Sequence, residues 1–267
     1  KRIDLKENNF VEANIKNVSS AKLCTTIKNK HGVSVSTIEH LLGAFYMTGL
    51  DNALVEISNI EVPIMDGSSK DFVEEIEKVG LVKQESKRKY LKILKEVKIK
   101  DEQKFLELKP INFGFEVAFQ LNYKNELIGK QKNRINFLES NLEDIYSSRT
   151  FCLYEDVEKI KKLGLAQGGS LDNAVVVDKD KILNTEGLRN EKEFVNHKIL
   201  DLAGDFFLSG YRIIGEVDCF QGGHKLSIDF LRELFKDKSN FLIFENNNSS
   251  LNKQNLTNPI NKIAVNA

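Results

Sequence analysis

The run Phe194-Val195-Asn196-His197-Lys198-Ile199-Leu200-Asp201 sets an imidazole and a carboxylate four residues apart in a strongly helical stretch. On an α-helix that spacing stacks both side chains on one face, a turn apart. Two ligands presented this way can share one divalent metal ion when a third arrives from elsewhere. Asp205 extends the stripe by a further turn, and Val195, Ile199, Leu202 and Phe206 form an opposite, apolar stripe suited to a core. Such a helix would make a floor beneath a reactive site. Read alone, a His-x3-Asp pair is more often a surface hydrogen-bonded pair than a metal site.

The chain has four histidines, His31, His40, His197 and His224. His40, in Ser36-Thr37-Ile38-Glu39-His40, is the natural third ligand beside His197 and Asp201. Two histidines and one carboxylate leave a fourth tetrahedral position open, the catalytic pattern for zinc; non-haem iron(II) takes the same ligand types. By itself His40 reads as a capping or half-buried histidine. Glu39 also has two readings. It completes a capping box with Ser36, or it is the base that takes a proton from water whose pKa a metal lowers to about 7. His224 follows Gly222-Gly223 and is either a solvated turn residue or, oriented by Asp205, a cationic proton donor. Lys198 can pair with Asp201 or reach an anionic substrate group. Arg149-Thr150-Phe151 reads as a strand end and Gly168-Gly169-Ser170 as a turn.

These residues need elements to hold them. A strand over 23–28, a turn at Asn29-Lys30-His31-Gly32 and a returning strand at 33–35 lead into a helix over 37–48, closed by Gly49 in a left-handed cap. Residues 53–58 alternate like a strand, and the loop 63–69 leads into a helix over 71–79. The polar stretch 83–89 reads as a linker. Beyond it, 91–99, 105–108 and 113–121 read as strands of an antiparallel sheet, 142–146 and 155–163 as helices, and 174–178 as a strand. The long helix over 191–209 stops at Gly210; then come a strand over 211–220, a tight loop over 221–224, a helix over 226–235 and an irregular tail after Phe244. Both halves thus contain a His-bearing helix, a Gly, a strand, a loop and a shorter helix. This predicts an α+β protein of two two-layer sandwich domains, 1–85 and 86–267, with the two His-bearing helices facing each other and the site between them.

Composition narrows the classes. In 267 residues, 41% are hydrophobic and 29% charged, which suits a globular chain able to bury a large core. A net charge of zero gives no field for nucleic acid. Cys24, Cys152 and Cys219 are scattered without a Cys-x2-Cys pair, so neither a zinc knuckle nor a disulfide framework is expected and a reducing cytoplasm fits. Asp201 and Asp205 break the best candidate for a membrane span, and no signal peptide is read, although the chain opens on Lys1 rather than Met.

Six runs, in order, resemble UDP-3-O-acyl-N-acetylglucosamine deacetylase, the zinc amidase family that commits Gram-negative bacteria to lipid A. They are Ser36-Thr37-Ile38-Glu39-His40-Leu41-Leu42, Val62-Pro63-Ile64-Met65-Asp66-Gly67-Ser68, Ser148-Arg149-Thr150-Phe151, Gly168-Gly169-Ser170-Leu171-Asp172-Asn173-Ala174, Glu193 to Asp201, and Gly223-His224. The resemblance implies zinc on His40, His197 and Asp201, Glu39 as general base, and His224 as cationic stabiliser and acid, supported by Asp205. It implies Thr150 as donor to the oxyanion, and Lys198, Phe151 and Cys24 as substrate contacts. An insert over about 151–177, with Phe151, Leu153, Val157, Ile160, Leu163 and Leu165, would line a passage for the fatty acyl chain. The implied partner is a UDP-linked acylated glucosamine, handled by a cytoplasmic monomer. The family's opening strand and its Gly-His turn have no counterpart, so the first domain is expected to lack a strand. Gln221 stands where relatives carry a basic residue, so no diphosphate contact is expected from it. Two further readings are a metal- or sugar-nucleotide-binding homologue without turnover, and a zinc amidase for another acylated amide.

Overall fold

The computed structural model describes residues 1–162 and 168–245. Its first layer is a small antiparallel sheet of β1 (Val18–Ser20), β2 (Thr26–Lys28) and β3 (Ser34–Val35). Val18, Ile27 and Val35 lie in register across it and bury one face together with Ile38, Leu42 and Val62. Helix α1 (Glu39–Thr48) packs there and ends at Gly49, whose φ of 83° is the left-handed cap that an L side chain resists. Helix α2 (Lys70–Val79) follows the loop over 63–69.

The second half is built on β4 (Lys89–Ile93), β5 (Val97–Asp101), β6 (Lys104–Lys109), β7 (Phe115–Asn122) and β8 (Lys130–Asn136). After the short helix α3 (Glu143–Tyr146) come β9 (Phe151–Leu153), α4 (Tyr154–Lys162), β10 (Val175–Asp178) and β11 (Lys181–Ile182). The chain then enters α5 (Glu193–Phe207), β12 (Arg212–Phe220), α6 (His224–Lys236) and β13 (Phe241–Glu245). The seven-stranded sheet runs β13-β4-β12-β6-β5, with β7 also on β12 and β8 on β7. Residues Phe115, Val117, Phe119 and Leu121 alternate onto the buried face of β7. Phe115 and Phe230 both meet Phe206 of α5, the latter with rings stacked at 5.7 Å, so α5 is sandwiched between sheet and α6. Leu208 and Ile228 cross into the core of the first layer, which ties the two halves together.

The α+β organisation expected from the sequence is the one found, and α1 does face α5. Several details differ. Helix α5 is buried almost all round, polar stripe included, with Lys198 half-buried on its flank. The stretch 91–99 breaks after Ile93, and the sheet is mixed rather than antiparallel, because β12 inserts beside β6 and runs parallel to β4 and β7. Residues 53–58 form only a bridge from Ile57 to Arg2, the N-terminal segment supplying the sole pairing there among the described residues. The capping box is absent: Ile38 is the N-cap of α1, and Ser36 Oγ accepts from Thr26 Oγ1. His224 is the first residue of α6 rather than part of the preceding loop. Strand β13 includes Phe244, while the tail from 246 on and Leu163 and Leu165 of the expected passage lie outside the described residues.

Candidate active site

The site forms where α1 crosses α5, and glycines permit that crossing. A Cβ on Gly204 would lie 2.0 Å from the Glu39 carbonyl oxygen, and one on Gly43 would lie 2.6 Å from Leu200 Cδ1. With hydrogen there instead, the start of α1 rests directly on the fourth turn of α5. The chain enters α1 through Thr37 at φ 57°, a left-handed conformation costly for a β-branched residue, held by a 2.6 Å bond from its hydroxyl to Glu61 Oε1. Glu39 and His40 therefore occupy the first turn of α1, where the helix dipole favours a carboxylate.

His40, His197 and Asp201 converge there, all buried. Asp201 Oδ1 is 3.4 Å from His40 Nε2 and 3.3 Å from His197 Nε2. A tetrahedral ion with bonds of about 2.0–2.1 Å separates its ligand atoms by about 3.3–3.4 Å. The spacing fits. His197 Nδ1 lies 3.0 Å from the Ser148 carbonyl, which can only accept, so Nδ1 carries the proton and Nε2 keeps its lone pair for the ion. Burial pushes the His197 imidazole down to about 3, so it is neutral at pH 7, as a ligand must be. Asp201 Oδ1 is buried with no hydrogen-bond partner, an acceptor suited to a cation, and His40 Nδ1 is likewise unpartnered. Burial opposes the Asp201 charge, yet the imidazoles and the Lys198 ammonium, 2.8 Å from Oδ2, hold its carboxyl well below the usual range. Among the described residues this is the one His/Cys/Asp/Glu cluster with such geometry.

A second set adjoins it. His224 Nδ1 is 2.9 Å from Asp205 Oδ2, and its Nε2 is 3.5 Å from Glu39 Oε1 and 3.9 Å from Asp201 Oδ2. Burial disfavours the imidazolium, but Asp205, Glu39 and Asp201 outweigh it and raise its pKa to about 10. His224 is thus cationic at pH 7. Burial raises the Glu39 carboxyl, with His224 and His40 opposing, which moves it toward the range of a useful base.

Lys198 Nζ lies 5.4 Å over the Phe151 ring, whose centroid is 6.4 Å from that of His197, so cation and ring form one wall. Thr150 is half-buried and fixed by its backbone to Gly67 and Val175, two residues past Ser148. Cys24 is a free, half-buried thiol whose Sγ faces Thr26 Oγ1 at 4.0 Å, outside the ligand cluster. The 148–150 segment is held by Arg149, which is 1% exposed: its Nε donates to Glu193 Oε1 at 2.8 Å, and it also pairs with Glu186. Sequence reasoning gave no role to Arg149 and Glu193, although both lie in runs that carry the resemblance, nor to the glycines Gly43 and Gly204. The glycines left a signal of their own, since a mid-helix glycine costs about 1 kcal/mol and so marks a close approach.

Fold and site together fit a metal-dependent hydrolase. The sequence profile of the family described as UDP-3-O-acyl N-acetylglycosamine deacetylase matches residues 1–236. UDP-3-O-acyl-N-acetylglucosamine deacetylase of Nautilia profundicola is 47% identical over 218 residues, 81% of this chain and 74% of its own length. The enzymes of that name from Nitratiruptor sp. (42%, covering 90% of this chain and 80% of theirs) and Haemophilus ducreyi (41%, covering 89% and 79%) are similar over most of their length. The chain belongs to this deacetylase family.

Proposed function

We propose that this chain hydrolyses the N-acetyl group of a UDP-3-O-acyl-N-acetylglucosamine, releasing acetate and the free amine, the committed step toward lipid A. The observation that carries the reading is the buried meeting of His40, His197 and Asp201 beside Glu39 and His224, in a chain of this family. Zinc, or iron(II) with the same ligands, would supply a Lewis acid and lower the pKa of water there to about 7. Glu39, with Oε2 held by the Thr25 N–H and Oε1 3.5 Å from His224 Nε2, takes the proton from the attacking water. His224, cationic and steered by Asp205, stabilises the oxyanion with Thr150 and delivers a proton to the departing nitrogen as the C–N bond breaks. Lys198, Phe151 and Cys24 contact the substrate, and the region 151–177 of a C-terminal domain over 86–267 guides the acyl chain past a domain over 1–85. No helix among the described residues is long and apolar enough to cross a membrane.

The test is acetate release from UDP-3-O-acyl-N-acetylglucosamine by the zinc-loaded protein. Stoichiometric acetate and free amine are expected; a loaded, folded protein that releases none overturns the reading.

A further inference from the structure

Thr25 is fully buried just before β2, and no role assigned above uses it. Its backbone N–H donates to Glu39 Oε2 at 3.0 Å, and its hydroxyl donates to Asp205 Oδ1 at 2.7 Å. One residue therefore holds one oxygen of each carboxylate that flanks His224. The remaining oxygens face opposite nitrogens of that imidazole, Asp205 Oδ2 at 2.9 Å from Nδ1 and Glu39 Oε1 at 3.5 Å from Nε2. Two ionised carboxylates in one buried space repel, and each would turn to find its own donor. Donors fixed on a single residue remove that freedom. Thr25 is itself anchored: its carbonyl accepts from the Ile38 N–H at 3.4 Å, at the entry to α1. Two residues earlier, Leu23 is held at φ 66°, a strained conformation for an L side chain in the segment that delivers Thr25.

We propose that Thr25 is a positioning residue for the acid–base pair, locking the free oxygens of Glu39 and Asp205 onto the two nitrogens of His224. This rests on the reading of Glu39 as base and His224 as acid. Thr25 itself touches neither the ligand cluster nor the imidazole; it acts through the two carboxylates.

Thr25→Val keeps the shape and the backbone donor but removes the hydroxyl, and Thr25→Ser restores it. In Thr25→Val, kcat should fall about 10–100-fold, the usual effect of losing an outer hydrogen-bond partner, with KM and bound zinc unchanged. Thr25→Ser should recover most of the loss. A readout independent of turnover is the proton on His224 Nδ1, followed by ¹H–¹⁵N spectroscopy of metal-free protein and assigned by its loss in His224→Gln. It should broaden or shift in Thr25→Val and return in Thr25→Ser; Thr25→Ala serves if valine packs badly. An unchanged resonance, an unchanged kcat, or a serine variant as impaired as the valine one overturns the proposal. A wild type that releases no acetate defeats the deacetylase reading instead, and the resonance then decides the role of Thr25 alone.

Discussion

As the proposed base, Glu39 combines two requirements that usually conflict. A base must be ionised at working pH, yet a carboxyl basic enough to hold a proton must sit where its charge is disfavoured. Burial supplies the second condition, and the imidazolium of His224 with the first turn of α1 supplies the first. If Glu39 takes the proton from water, Glu39→Ala should lower kcat by about 10²–10⁴-fold while leaving bound metal in place. Steady-state kinetics beside elemental analysis checks this, and turnover equal to wild type would remove Glu39 from its role. At this scale the sequence was legible where chemistry and spacing coincide. His197 and Asp201 declare themselves by a helical turn, and Glu39-His40 by adjacency. Thr25 and Arg149 do not, because each acts through partners 14 to 180 residues away, or 37 to 44.

Among the elements, the crossing of α1 over α5 matters most, since it brings ligands from two helices onto one point. Gly204→Ala would drive a methyl into the Glu39 carbonyl, a backbone atom that cannot rotate away. The helices must then separate, at a cost of about 3 kcal/mol, and His40 withdraws from Asp201. We expect a lower Tm together with weaker zinc binding, measured by thermal melts and by metal titration; a variant with wild-type values for both would show that the crossing has slack. The main helices were readable from apolar periodicity and glycine stops. The strands were less so. Lys130-Gln131-Lys132-Asn133-Arg134-Ile135-Asn136 has little apolar alternation because β8 pairs on one side only, where charged side chains suit an exposed edge. Residues 53–58 alternate well yet stay outside any sheet, since alternation does not supply a partner strand. The break after Ile93 and the insertion of β12 are decided by pairing with strands far along the chain, which periodicity cannot report.

At the scale of the whole molecule, two layers contribute complementary halves of one site. The first sheet and α1 bring Thr25, Glu39 and His40, and the larger sheet's helices bring His197, Asp201, Asp205 and His224. Neither half holds all of His40, His197 and Asp201, so an ion held by the three would bridge them and should stabilise the folded chain, by about 2.7 kcal/mol at a hundredfold excess over Kd. The same interdependence explains why the overall class was readable from scattered motifs while the contacts beneath them were not. The most direct test is a zinc titration of chelator-treated wild-type protein beside His197→Ala. One equivalent bound tightly by the wild type, and lost in His197→Ala, is the expected result. A folded wild type that takes up no stoichiometric ion, or a variant that binds it equally well, would contradict the account.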